Sequence, residues 1–248
     1  MNIIKNYLFL LAFFAFVILP ANIFAGDYAT LNVIGFSMDG KYLAFEEYGV
    51  QDGSGFPYST IFIIDVAKNS YAAPPVKKQT EKETITGDAI RLTAKTAAAA
   101  NMKKFKIVPG NTGKLVVARL ITDLNAGNIK PGNEGKNQTI EFTDYRDSSY
   151  YEKEYALLLK TSEVKTKACE YASEPILKFD LTLKETKAKT EKILQSDKTL
   201  PESRNCPLSY SVQNVFVYKS NIVVFINVYS MGFEGPDMRF LAVTGIYK

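Results

Sequence analysis

A mostly β fold carrying one packed helix is predicted by three features of the sequence. Short runs rich in Val, Ile, Phe and Tyr recur along the 248 residues, divided by Asp-Gly, Asn-Ser and Asn-Thr-Gly turn signals. One run, Thr60-Ile61-Phe62-Ile63-Ile64-Asp65-Val66, is almost continuously apolar, as a strand covered on both faces has to be. Only the stretch 87–104 combines helical spacing with a capping residue.

Residues 1–25 have the three parts of a secretory signal: Lys5, an apolar run over 7–19, and a short segment ending in Ala25. The alternative, an uncleaved anchor, needs roughly 20 apolar residues, and this run has 13. Cleavage after Ala25 leaves 248 − 25 = 223 residues, enough for one β domain over 26–248 with a sizeable core. No cysteine lies near the junction to take a lipid. The reading is a secreted or periplasmic protein with no stable membrane span after cleavage.

Within 33–66 an apolar run, Val33 to Phe36, stops at Ser37-Met38-Asp39-Gly40 and resumes over 41–45. Asp39-Gly40 reads as a two-residue hairpin turn whose central positions both take positive φ. Residues 68–70 form the next turn, 71–76 a strand, and the charged 77–83 an exposed linker. Thr86 can cap the helix, Asp88 suits its positive end, and Ile90, Ala94, Ala97 and Asn101 share one face. Further strands are expected at 114–123, 139–143, 154–160, 176–184 and 190–194, with a Gly-rich loop at 125–137 and a Tyr-rich connection at 144–152. Residues 213–247 repeat the opening pattern, with 222–228 as a second buried-type strand. About three hairpin-plus-strand units fall short of the four blades a closed propeller uses. The architecture expected is partial-propeller-like or two-sheet.

Composition removes several chemistries. The sequence has no histidine, which excludes Ser-His-Asp and Cys-His catalysis and His-ligated metal sites. Asp52-Gly53-Ser54-Gly55 lacks the Lys-Ser/Thr ending and following helix of a phosphate loop. The net charge of +4 is spread among 26 acids, and lysine outnumbers arginine, a pattern of solvated surfaces and not of nucleic-acid binding. No cofactor or metal site is expected. Cys169 and Cys206 are the only cysteines, and in an oxidising compartment they pair.

Carboxylate chemistry is what remains. The connections 46–59 and 229–239 concentrate acids, aromatics and glycines. Tyr48, Gln51, Asp52, Phe56, Tyr58, Phe233 and Arg239 are the candidate binding residues, for a protein or an envelope glycan. The alternative is a glycan hydrolase in which Glu46 or Glu47 works with Glu234 or Asp237. Equally, the glycines and prolines shape turns and the acids cap amides or pair with Arg239. A non-enzymatic binding protein is the leading reading.

The segment Phe36 to Phe45, with Ile61-Phe62-Ile63-Ile64-Asp65, resembles one blade of the WD40-like or Tol-type β-propellers. Three other segments carry a wider likeness: Phe45 to Ser59, Leu200 to Pro207, and Gly232 to Phe240. Through them the chain resembles a bacterial family of predicted secreted proteins with a domain of unknown function, DUF2259. That resemblance implies export and a single domain over most of the mature chain, and it brings no activity.

Overall fold

The computed structural model describes residues 26–82, 84–120, 137–144, 153–233 and 235–247. The signal segment 1–25, most of the 125–137 loop and the Tyr-rich 145–152 lie outside the described residues. Strands β1 (Thr30–Phe36), β2 (Tyr42–Val50), β3 (Pro57–Asp65) and β4 (Ser70–Gln79) form an antiparallel meander. Helix α1 (Gly87–Lys104) and β5 (Lys114–Ala118) follow. Strands β6 (Asn137–Asp144), β7 (Lys153–Glu163), β8 (Leu177–Glu185) and β9 (Thr190–Ser196) form a second meander. Finally β10 (Pro207–Tyr218), β11 (Asn221–Met231) and β12 (Pro236–Ile246) make a sheet in the order β12-β11-β10-β5, so β5 closes it from far back in the chain.

That last sheet lies in the middle. From β11, Val223, Phe225 and Tyr229 enter a core with Phe36, Phe45 and Phe62 of the first sheet. Ile222, Val224, Ile226 and Val228 point the other way, onto Leu157, Leu181 and Leu183. Alternate side chains of one strand thus fill two cores, which is why 222–228 shows no polar alternation. The first sheet is also covered twice. Ile61 and Ile63 of β3 meet Ala94 and Ala98 of α1, while Phe62 and Ile64 face the middle sheet. The result is four layers: helix, sheet, sheet, sheet.

The mostly β architecture with one α-helix over 87–104 agrees with the sequence reading, and among the described residues no sheet closes into a barrel. There are three sheets instead of two. Thr86 caps α1 by accepting the Ala89 amide at 3.3 Å. Its buried face is Ile90, Ala94 and Ala98, so Ala98 replaces Ala97, which is exposed. The expected linker 77–83 begins as strand: Lys77, Lys78 and Gln79 pair with Thr60, Ser59 and Tyr58. A polar edge strand needs only backbone pairing on one side, and Pro74 and Pro75 are tolerated there for the same reason. The 37–40 turn has one left-handed residue, Gly40 at φ 79°, because Ser37 and Asp39 hold a longer loop through Ser37 Oγ–Asp39 Oδ1 at 2.7 Å. Cys169 and Cys206 are disulfide-bonded, with Ile176 and Leu208 packed around them.

Candidate functional site

Two hairpin ends meet. The β2–β3 end closes through Gln51 N–H to Phe56 O at 3.0 Å, with Gly53 and Gly55 at φ 76° and 69°. The β11–β12 end runs from Met231 to Pro236, which pair across it. A side chain added at Gly53 would touch the Phe233 ring at 3.7 Å, and a Cβ at Gly232 would fall 2.5 Å from Asp237 Oδ1. The connections that look alike in the sequence therefore sit side by side.

Below them a buried polar network ties the first sheet to the middle one. Asp27 is 5 % exposed and accepts the Tyr58 hydroxyl at 2.9 Å and an Arg239 N–H. Its backbone is equally engaged. Asp27 N–H donates to Asp237 Oδ1 at 3.1 Å, and Arg239 donates to Asp27 O at 2.7 Å. The Arg239 guanidinium lies 4.8 Å from the Tyr58 ring centre. Glu47, from β2, crosses to the middle sheet and accepts the Phe240 amide at 3.1 Å. Burial raises the Glu47 carboxyl above the usual carboxylate range, a shift that the Phe240 amide and Arg239 only partly offset. Burial also raises Asp237, against the Asp27 amide and Arg239. Tyr58 is pushed up mainly by burial.

Over this network opens a cavity of about 640 Å³, lined on one side by Glu47, Tyr58, Tyr71 and Lys77 and on the other by Asp237 and Arg239. Its third wall is Ser203-Arg204-Asn205, immediately before Cys206. Arg204 is held there by a buried ion pair with Asp197 and by the Phe179 ring, 4.6 Å away. The disulfide thus anchors a wall of the cavity, 37 residues along the chain from its partner.

The candidate residues divide. Gln51, Tyr58 and Arg239 line the cavity along with Glu47 and Asp237. Phe233, 83 % exposed, lies beside Gly53, and Asp52 caps the Gly53 amide at 2.9 Å; neither is among the lining residues. Phe56 is half-buried in the hairpin end and is not among the lining residues. Glu234 lies outside the described residues. Glu46 and Tyr48 belong to the opposite face of β2. Glu46 is fully buried and accepts Arg91 Nε and NH2 at 3.0 Å each, Asn32 at 2.8 Å and Ser59 at 3.0 Å. Arg91 also covers the Tyr48 ring at 3.6 Å. Burial opposes ionisation of Glu46, but the Arg91, Asn32 and Ser59 hydrogen bonds outweigh it and hold the carboxyl below the usual range.

A family profile described as predicted secreted protein (DUF2259) matches residues 44–245, which takes in both hairpin ends and every strand from β3 to β11. The chain belongs to this family. A search of curated proteins finds no match. Secretion is what the DUF2259 description states, and among the described residues no helix is long and apolar enough to cross a membrane. The DUF2259 span includes Glu47, Tyr58 and Arg239, while Asp27 precedes it.

Asp27, Tyr71, Lys77 and Arg204 were not singled out by sequence. Asp27 follows the predicted cleavage point by two residues, where no pattern marks it as buried. Arg204 sits in the polar stretch before Cys206, and its position beside a paired cysteine was the one available signal.

Proposed function

We propose that this protein is exported, with residues 1–25 as its signal peptide, and that it acts without catalysis by holding a cell-envelope glycan in the cavity between the two hairpin ends. The carrying observation is the convergence of those ends over a single cavity of about 640 Å³, within the usual size range of small-ligand sites. Its lining suits a sugar: the Tyr71 ring, stacked on Phe62 at 5.8 Å, offers an apolar face, and Gln51, Gln79, Thr60 and Lys77 offer polar groups around it. Binding is favoured over turnover because the acids are already engaged. Asp237 accepts the Asp27 amide, Glu47 accepts the Phe240 amide, and Asp27 takes Arg239 and Tyr58.

Calorimetric titration with soluble cell-wall glycan fragments tests this reading. Saturable binding that Tyr71→Ala and Lys77→Ala each weaken about tenfold is the expected result; no heat with any fragment at millimolar concentration would remove it. A second reading, a carboxylate-dependent glycan hydrolase, draws on Glu47 and Asp237 lining one cavity with both carboxyls raised by burial. It requires product release that Glu47→Gln abolishes while binding survives.

A further inference from the structure

On the opposite edge of the first sheet, β1 pairs with β2 on one side and leaves its outer edge open over four residues among the described residues. At one end Ala29 N–H donates to Met238 O at 3.0 Å. At the other, Gly110 N–H donates to Ile34 O at 2.8 Å, and Phe36 exchanges bonds with Asn111 and Val108. Between these, the outer edge of Thr30–Val33 has no backbone partner among the described residues. Sheet edges are normally blunted by charge, proline or cover; Thr30, Leu31, Asn32 and Val33 carry neither charge nor proline.

Each face of this edge opens into a cavity. On the helix side, one of about 680 Å³ runs between Asn32 to Ile34 and the α1 stripe Lys95, Ala99, Met102 and Lys103. Its floor is apolar, and no acidic residue lines it. On the middle-sheet side, another of about 430 Å³ lies between Ala29 to Val33 and Gln213, Asn214 and Phe216 of β10. Gln213 Oε1 is buried without a hydrogen-bond donor among the described residues. An orphaned buried acceptor is costly, so this wall favours a partner that brings a donor.

We propose that the Thr30–Val33 edge is a strand-addition site for an extended peptide of a partner protein. A strand laid along β1 makes main-chain bonds to the open edge and sends alternate side chains to opposite faces. Four residues span about 13 Å, which limits the footprint to a short segment. The two cavities lie where those alternating side chains must go. The helix side selects an apolar side chain over Ile34, Ile107 and Met102, with an acidic neighbour for Lys103, since Lys95 already lies 3.9 Å from the Glu46 carboxylate. The β10 side selects a hydrogen-bond donor facing Gln213. The segment 108–111 already shows that this edge accepts an additional antiparallel stretch further along.

An eight-residue peptide library displayed on phage, selected on the secreted chain, tests the site. The expected winners alternate apolar or acidic residues with hydrogen-bond donors. Synthesised and scanned by N-methylation, a winner should lose at least tenfold in affinity at every second position and little in between. Ala99→Trp, which fills the helix-side cavity from an exposed position, should weaken it by a similar factor, and Lys103→Glu by several-fold, with circular dichroism unchanged in both. Failure to select any peptide tighter than about 100 µM, an N-methyl scan without a period of two, or indifference to Ala99→Trp would each overturn the proposal. So would a dimer in sedimentation that Ala99→Trp dissociates, since the edge would then pair with a second copy.

Discussion

Glu46 and Glu47 are chain neighbours with opposite fates, because successive side chains of a strand leave by opposite faces. Glu46 enters the layer between β2 and α1, where a guanidinium, an amide and a hydroxyl surround both its oxygens. Glu47 enters the layer between two sheets and finds one backbone amide and a more distant arginine beside an open cavity. Both carboxyls have almost no exposed surface, 0 % and 8 %, but Glu47 is the more heavily desolvated and Glu46 the better supplied with donors. Depth of burial and the number and charge of donors act together to part them. The saturated carboxylate is a fastening for the helix; the other, engaged by the Phe240 amide, lines the cavity.

The contrast can be broken or sharpened in four ways. Cys169→Ser with Cys206→Ser should cost about 4 kcal/mol in the loop-entropy account. The loss should loosen the Arg204 wall more than the helix layer, read as faster hydrogen exchange at 200–206 than at 87–104. Glu46→Gln leaves Arg91 against a neutral amide and should cost about 3 kcal/mol in urea denaturation at pH 7. Because the folded Glu46 carboxyl titrates below its unfolded value, its stabilisation is present above pH about 4.3 and lost as pH falls through the folded value. The gap between parent and variant should therefore narrow by pH 3. Glu47→Gln should have the other sign. Its folded value is raised, so the stability it confers is present at low pH and lost as pH rises through the folded value. The variant should match or exceed the parent by up to about 1 kcal/mol at pH 7, with the difference vanishing below pH 4. A substitution that destabilised the protein at pH 7 as much as Glu46→Gln does would end the contrast. Phe233→Ser, at an exposed position beside Gly53, should move stability by less than about 0.5 kcal/mol, read by urea denaturation.

Strands were legible where a run was long and covered twice, as at 60–66 and 222–228, since a continuous apolar stretch of that length has few other uses. The helix was legible from Thr86 and its alanines, and the disulfide from the cysteine count. The likeness of the two connections was visible as well, although their adjacency comes from sheet stacking, which no local pattern encodes. Period-two reasoning could have separated Glu46 from Glu47; it could not have supplied Arg91, 45 residues further on, as the partner of Glu46. Asp27 was hidden for the same reason: its value lies in Tyr58 and in Arg239, 212 residues away. A polar edge strand such as β4 carries almost no hydrophobic signal, so residues 77–79 read as linker.

The middle sheet imposes an order on assembly. Its strand β5 is made early in the chain, but β10, β11 and β12 arrive only after the whole β6–β9 meander. Until they do, Phe36, Phe45, Phe62 and Ile64 on one side, and Leu157, Leu181 and Leu183 on the other, have no surface to close against. A chain emerging from its N-terminus therefore carries one unfinished apolar face from β4 onward and a second once β9 is made, the kind of surface that aggregates and that holding factors bind. Folding is committed by its closing segment, and a truncation before β10 would leave two sheets with nothing between them.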